Sequence, residues 1–363
     1  MFLALRDIRF ATGRFTLMGS VVALISLLLV MLSGLTAGLA NQSTSAIASL
    51  ETDTLAFSAD DQQEASFTES QVTHQQLESW QQTHGVASAE PLGITQTRVE
   101  PQAGSSSATS AAVFGVELGG DLVPAAELKS GETLVSEEIS DELAAGAGDT
   151  LLIGGVELTI AGLIENHWYS HTPVLWTSLK DWQRLAHVVD TDVVGTVISA
   201  SHEQSADAEE LRSRADAEAG TVSMSPGSSF SALSSYSSEN GALTMIQALL
   251  YAVSALVIVA FFTVWTVQRT RDIAVLKALG ASNRYVVGDA LGQALVVLLA
   301  GSGAGGLAGW AGGVLASQAV PFVTSASTTA LPAVGVVIIG LAGAAVAVRR
   351  VSTVDSLLAL GGS

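Results

Sequence analysis

No charged residue lies between Phe15 and Leu50 or between Glu239 and Arg269, and two further charge-free apolar runs cover 290–318 and 331–348. A helix rises about 1.5 Å per residue, so about 20 apolar residues cross the ~30 Å hydrocarbon core of a bilayer. In lipid every backbone N–H must find its partner within its own segment, which leaves helices as the structure for isolated runs of this length. The spans expected are therefore 16–40, 241–267, 290–318 and 331–348, the last near the lower length limit. Arg6, Arg9 and Arg14 stand among Phe2, Leu3, Leu5, Ile8 and Phe10, so residues 1–15 read as an interfacial amphipathic helix before the first span. A cleaved signal peptide would have an apolar core of about 7–15 residues, and this run is far longer, so an uncleaved anchor is expected.

The net charge of −19 conceals a division. Residues 41–240 hold thirty acidic and six basic side chains, a balance of −24, while the remainder carries +5. Lys and Arg accumulate on the cytoplasmic side of membrane proteins. Both termini and 268–288 are thus expected inside the cell membrane, with 41–240 as one extracytoplasmic domain of ordinary size. The acidic surface excludes nucleic acid, whose phosphates need basic partners. With no Cys, the chain has no disulfide, thiolate metal site or cysteine nucleophile.

Within 41–240 the pattern is mixed. Thr54–Ser58, Val86–Val99, Ser110–Val116, Thr172–Trp176 and Val193–Ala200 read as strands, and 72–84 reads as a helix with Leu77 and Trp80 on its apolar side, stopped by Gly85. The Gly154-Gly155 pair between two apolar runs signals a two-residue hairpin. Pro101–Thr109 reads as a loose Gly/Ser-rich loop, 203–219 as a charged surface helix, and 223–238 as a Ser-rich return to the membrane. The fold class is an α-helical membrane protein with four transmembrane helices plus an α+β extracytoplasmic domain inserted between helices 1 and 2.

The segment 268–288 is more than a basic connector. Ile273, Leu276, Lys277 and Gly280 recur at helical spacing, Arg269, Arg271, Lys277 and Arg284 supply the positive charge, and Gly280 reads as a left-handed helix end. The run Arg269 … Asp272-Ile273-Ala274-Val275-Leu276-Lys277-Ala278-Leu279-Gly280-Ala281 closely resembles the cytoplasmic helix between the second and third spans of FtsX/MacB-type (type VII) ABC transporter permeases. Asp272 stands where that family has Glu, keeping the carboxylate with a shorter reach. The passage from Gly131 through Gly148-Asp149 and the Gly154-Gly155 hairpin resembles the family's extracytoplasmic domain.

Other patterns have plainer readings. Gly301-Ser-Gly303-Ala-Gly-Gly306 fits a dinucleotide fingerprint, but it lies inside an apolar span rather than after a strand. Gly301, Gly305, Gly309 and Gly313, four apart, instead predict a flat helix face for close packing. His167-Trp-Tyr-Ser-His171 has metal-like spacing only on a helix, and after a strand it reads as a loop with exposed imidazoles. No nucleophile elbow and no P-loop occur, so neither hydrolase chemistry nor nucleotide binding is encoded.

The resemblance implies a permease that is not itself an enzyme. A separate ABC ATPase would bind and hydrolyse ATP and grip Arg269, Arg271, Asp272, Ile273, Leu276, Lys277, Leu279, Gly280 and Ala281, with the tail 349–363 as a further contact. Two copies of this chain would form a homodimer in membrane lipid, exporting an amphiphile by mechanical transmission. The chain also looks like the compact HrtB-like haem-exporter permeases of Gram-positive bacteria, which implies haem as substrate; no covalently bound cofactor or metal is expected. Met31, Met245 and Tyr251, on the outer halves of the first two spans, and Glu51, just above the first, are the candidate substrate contacts, since haem iron takes Met or Tyr as axial ligand. The alternatives are a macrolide, lipopeptide or lipoprotein substrate, or a non-transporting signal to a wall hydrolase.

Overall fold

The computed structural model describes residues 12–59, 65–102, 107–122, 128–204, 206–268, 270, 275 and 280–352. Residues 1–11, the central part of the loop 101–109, and the tail beyond Ser352 lie outside them. Contacts divide the chain into a frame, Met1–Leu39 with Asn240–Ser363, and a domain, Ala40–Glu239.

Among the described residues four helices are long and apolar enough to cross a membrane: α1 (Thr12–Ala48), α7 (Ser234–Gln268), α8 (Asn283–Ala316) and α9 (Ala326–Ser352). Each extends beyond its apolar run, and hydroxyl side chains cap the starts of α8 and α9. Ser282 accepts the N–H of Tyr285 at 3.3 Å and starts α8. Asn283–Gly288, expected in the cytoplasmic segment, are consequently the first turns of α8. Ser325 likewise accepts the N–H of Thr328 at 3.1 Å at the head of α9.

Glycine decides how these helices pack. A Cβ on Gly301 or Gly305 of α8 would overlap the backbone carbonyl of Gly19 or Ala23 on α1, and one on Gly309 would press into Val30. The glycine stripe is thus the seam between α8 and α1, as the spacing of four predicts. Gly313, Gly34 and Gly38 make room for Pro321 and Phe322 of the α8–α9 loop, whose Val323 N–H donates to the Gly34 carbonyl at 3.1 Å. Gly340 and Gly343 of α9 accommodate Leu298 of α8 and Ile258 and Val259 of α7.

Among its described residues the domain has twelve strands: β1 (Thr54–Ser58), β2 (Val72–Thr73), β3 (Val86–Pro101), β4 (Thr109–Val116), β5 (Glu132–Ser136), β6 (Thr150–Ile153), β7 (Val156–Ile164), β8 (Trp168–Tyr169), β9 (Thr172–Ser178), β10 (Val193–Gly195), β11 (Val197–His202) and β12 (Thr221–Met224). The helices between them are α2 (His74–Gln82), α3 (Glu137–Leu143), α4 (Leu179–Leu185), α5 (Ala208–Ala219) and α6 (Pro226–Ser229). The main sheet runs β12-β1-β11-β3-β4-β9-β5-β7-β6, and the far end of β3 also pairs with β6. Six strands from β3 to β6 therefore close on themselves, and β12, β1 and β11 extend the sheet from the near half of β3.

Three apolar clusters hold the domain. One face of the closed strands joins Val113, Val135, Leu151, Ile160 and Leu175 to Ile139 of α3 and to Trp182 and Leu185 of α4. The other face joins Phe114, Val174 and Trp176 to Ala46, Ile47 and Leu50. The third packs α2 and α5, through Leu77, Trp80, Leu211 and Ala215, on the extension.

Local chemistry sets several boundaries that pattern alone misplaces. Thr73 and Gln76 form a reciprocal capping box, so α2 starts at His74 and the two residues before it pair as a strand. Asp207 accepts the N–H groups of Glu209 and Glu210, so α5 begins at Ala208 rather than near 203. The run 193–200 is two strands, because Thr196 turns its hydroxyl onto the backbone of Ile94, accepting its N–H at 2.8 Å. Gly154 and Gly155, with φ of 52° and 85°, form the two-residue hairpin and bring Ile153 opposite Val156.

Candidate functional site

Arg269, Arg271, Asp272, Ile273, Leu276, Lys277 and Leu279, the residues proposed to meet an ATPase, lie outside the described residues. Gly280 and Ala281 are described. Gly280 has φ of 95°, a left-handed conformation that its missing side chain makes accessible, and it separates the segment from α8.

The four candidate substrate contacts have different surroundings. On α1, the Met31 sulfur faces Gly312 of α8; on α7, the Tyr251 phenol fills the space left by Gly335 of α9. Met245 is 77% exposed on α7. None of these contacts joins one candidate to another. Glu51 follows α1 rather than continuing it, because the helix ends at Ala48. It lines a cavity of about 530 Å³ in the domain together with Asp121, Glu165 and His167, over an apolar floor that includes Leu50, Leu122 and Trp176. Among the described residues its lining carries three carboxylates, one imidazole and no Lys or Arg, so its field favours a cation.

Sequence reasoning missed the role of His171. The HWYSH run forms a tight hairpin, β8 to β9, with Tyr169 opposite Thr172. Ser170 and His171 occupy its two central positions at φ of 47° and 65°. Turns of this type favour Asn-Gly, so nothing in Ser-His advertises one. The His171 side chain is engaged rather than free: Nε2 lies 3.1 Å from the Ser43 hydroxyl and 3.0 Å from the Glu239 carboxylate. Among the described residues no three of His, Asp and Glu gather closely enough to hold a metal ion.

Two ionisable groups of the domain, buried Asp181 and half-buried His202, have shifted pKa values. Asp181, 1% exposed, accepts hydrogen bonds from Ser178 Oγ at 2.5 Å, the Gly131 N–H at 2.7 Å and Ser130 Oγ at 3.3 Å, and pairs with Arg184 at 3.0 Å. Burial pushes its pKa up, but the combined hydrogen bonds and the Arg184 charge outweigh this and hold it below the usual carboxylate value. Burial also lowers the pKa of His202, with Asp53 opposing and Arg212 adding to the shift.

Residues 15–218 match the MacB-like periplasmic core domain family, and residues 244–355 match the FtsX-like permease C-terminal family. The chain belongs to the FtsX/MacB-type ABC transporter permeases. An uncharacterised ABC transporter permease of Mycobacterium bovis is 28% identical over 286 residues, covering 77% of this chain and 76% of its own. The HrtB protein of Staphylococcus haemolyticus, named for a hemin transport system, is 23% identical over 383 residues, covering 100% of this chain and 99% of its own. The periplasmic region of MacB from Actinobacillus actinomycetemcomitans aligns at 10% identity with a TM-score of 0.37, covering 50% of this chain and 92% of that one. This FtsX/MacB-type permease is therefore a membrane protein with a large extracytoplasmic domain after its first span. Permeases of this family are not themselves the catalytic ATPase, and membership implies an ATPase partner.

Proposed function

We propose that this permease exports an amphiphile as a homodimer, driven by two copies of a separate ATPase that push on the Arg269–Ala281 segment from the cytoplasm. The observation that carries the proposal is helix length. α1 has 37 residues and α7 has 35, well beyond the ~20 that cross a bilayer. A continuous helix transmits displacement along its axis, so a push at the cytoplasmic end reaches the outer turns that belong to the domain. Substrate then enters from the membrane or its outer face and need not traverse the whole bilayer. Both termini face the cytoplasm in this arrangement.

Haem is the substrate proposed first. Its support is the full-length similarity to a relative named for hemin transport and the presence of Met31, Met245 and Tyr251, side-chain types that ligate haem iron, on α1 and α7. The cavity beside Glu51 favours a second reading. Its carboxylates repel haem propionates and attract an amine, as carried by a basic macrolide or lipopeptide.

The test is ATP turnover of this chain with its ATPase in proteoliposomes, with haemin or a cationic lipopeptide added, in wild type, Met31→Ala and Glu51→Ala. Stimulation by haemin that Met31→Ala abolishes supports haem export. Stimulation by the lipopeptide alone, lost in Glu51→Ala, supports the amine-bearing substrate. Absence of a complex with any ATPase rejects transport, and copurification of a wall hydrolase instead establishes a signalling role.

A further inference from the structure

We propose that the β8–β9 hairpin is a clasp between the outer end of α1 and the start of α7, that His171 is its positioning residue, and that the clasp opens and closes in each transport cycle. The inference rests on the transporter reading above.

The hairpin is anchored at its root. The Trp168 indole N–H donates to Glu138 of α3 at 2.8 Å, and Tyr169, 5% exposed, packs edge-on against Phe67 and Phe114. Burial raises the pKa of the Tyr169 phenol and keeps it neutral. The strands beneath it are part of the closed sheet, so the root moves with the body of the domain.

The tip grips two helices at once. The backbone N–H of Ser170 donates to the Ser43 carbonyl at 3.1 Å and that of His171 to the Gln42 carbonyl at 2.9 Å, while the Trp168 N–H donates to Ser45 Oγ at 2.8 Å. These three acceptors lie on α1. On the α7 side, Ser170 Oγ is 3.3 Å from Ser235 Oγ, and His171 Nε2 is 3.0 Å from Glu239. A carboxylate oxygen has no proton to give, so Nε2 carries the hydrogen and Ser43 Oγ, at 3.1 Å, shares it as a second acceptor. One imidazole nitrogen therefore contacts both helices.

The tip is also strained. Two successive residues with side chains hold positive φ, a sparsely populated conformation that persists only where surrounding contacts impose it. Separating the ends of α1 and α7 removes those contacts and lets the turn relax, which favours a two-position element over gradual bending. Such an element converts a small displacement of the helices into a discrete change at the domain.

The test uses the whole chain with its ATPase in proteoliposomes. The sequence has no Cys, so Ser43→Cys and Glu239→Cys supply the sole thiols, and both positions lie within hydrogen-bond reach of one nitrogen, a gap that a short bis-methanethiosulfonate spans. Bridging is expected to lower ATP turnover roughly tenfold, as expected when an obligatory motion is blocked. Reductant returns turnover to that of the same variant before bridging, and in each single-cysteine chain the reagent leaves that variant's own turnover unchanged. Unchanged turnover after complete bridging overturns the cyclic opening. In the purified chain, His171→Ala and Glu239→Gln are each expected to lower the melting temperature by about 2–4 °C, with the double variant no lower than the worse single. Fully additive shifts overturn the contact itself. A complex without turnover before bridging rejects the transporter reading and the clasp's role with it, whereas the melting shifts still judge the contact.

Discussion

Gly305 of α8 lies against the backbone carbonyl of Ala23 on α1 so closely that a methyl group at its Cα would overlap that carbonyl. Backbone-to-backbone approach of this kind supplies the packing that the hydrophobic effect does not provide within lipid. Gly305→Leu is expected to force the helices apart, an overpacking cost of roughly 1–3 kcal/mol or more. Gly303, with nothing within 4 Å of its Cβ position, accepts Ala without loss. Thermal scans of both variants in detergent check the pair, and equal melting temperatures would count against the seam.

Asp181→Asn should destabilise the domain by about 1–3 kcal/mol, because a buried acceptor held by Ser178, Gly131 and Ser130 is replaced in part by a donor. A pH series gives the sign. The folded pKa of Asp181 is depressed, so its contribution is complete above the unfolded carboxylate value near 3.9 and is lost as pH falls through the lower folded value. Chemical denaturation between neutral and acidic pH should therefore show wild type and Asp181→Asn converging at the acid end.

His202 gives a second window. Burial depresses its pKa, so the unfolded chain takes up a proton first as pH falls below about 6.5, and the stabilisation present above that value declines towards the folded pKa. His202→Gln, which keeps a partner for the Thr54 hydroxyl now 2.9 Å from Nε2, should flatten that part of the stability profile.

Gly93 and Gly115, on neighbouring strands β3 and β4, both lie under the Trp182 side chain, and a Cβ at either overlaps it. Gly93→Val is expected to displace α4 from the sheet and reduce the melting temperature of the domain. Trp182→Ala in the same background should recover part of that loss, and purely additive losses would show that the two do not share one space.

Leu276→Asp places a charge on the apolar side of the segment proposed to meet the ATPase. Its expected effect is loss of the copurifying ATPase with the melting temperature of the extracytoplasmic domain unchanged, read by pull-down and calorimetry together.

Much of this architecture is legible in sequence because it follows from periodic or one-residue physics. Charge-free runs of more than 20 residues meet the length demanded by a bilayer, glycines four apart lie on one helix face, and Gly154-Gly155 takes positive φ at little cost. The run from Arg269 to Ala281 carries the family resemblance in the same local way, as a fixed pattern of charge and apolar spacing. What the sequence could not settle depends on residues distant in the chain. Thr196 splits a strand because Ile94 lies opposite, Glu51 joins Asp121, Glu165 and His167 because three separate loops converge, and the glycines at 93 and 115 make sense only under Trp182. The hairpin tip is the sharpest case. Ser170 and His171 are poor residues for positive φ, and only contacts from Gln42, Ser43, Ser235 and Glu239, far apart in sequence, hold them there. Local propensity sets the helices and turns, but the conformation of a strained residue is decided by the tertiary contacts that outweigh it.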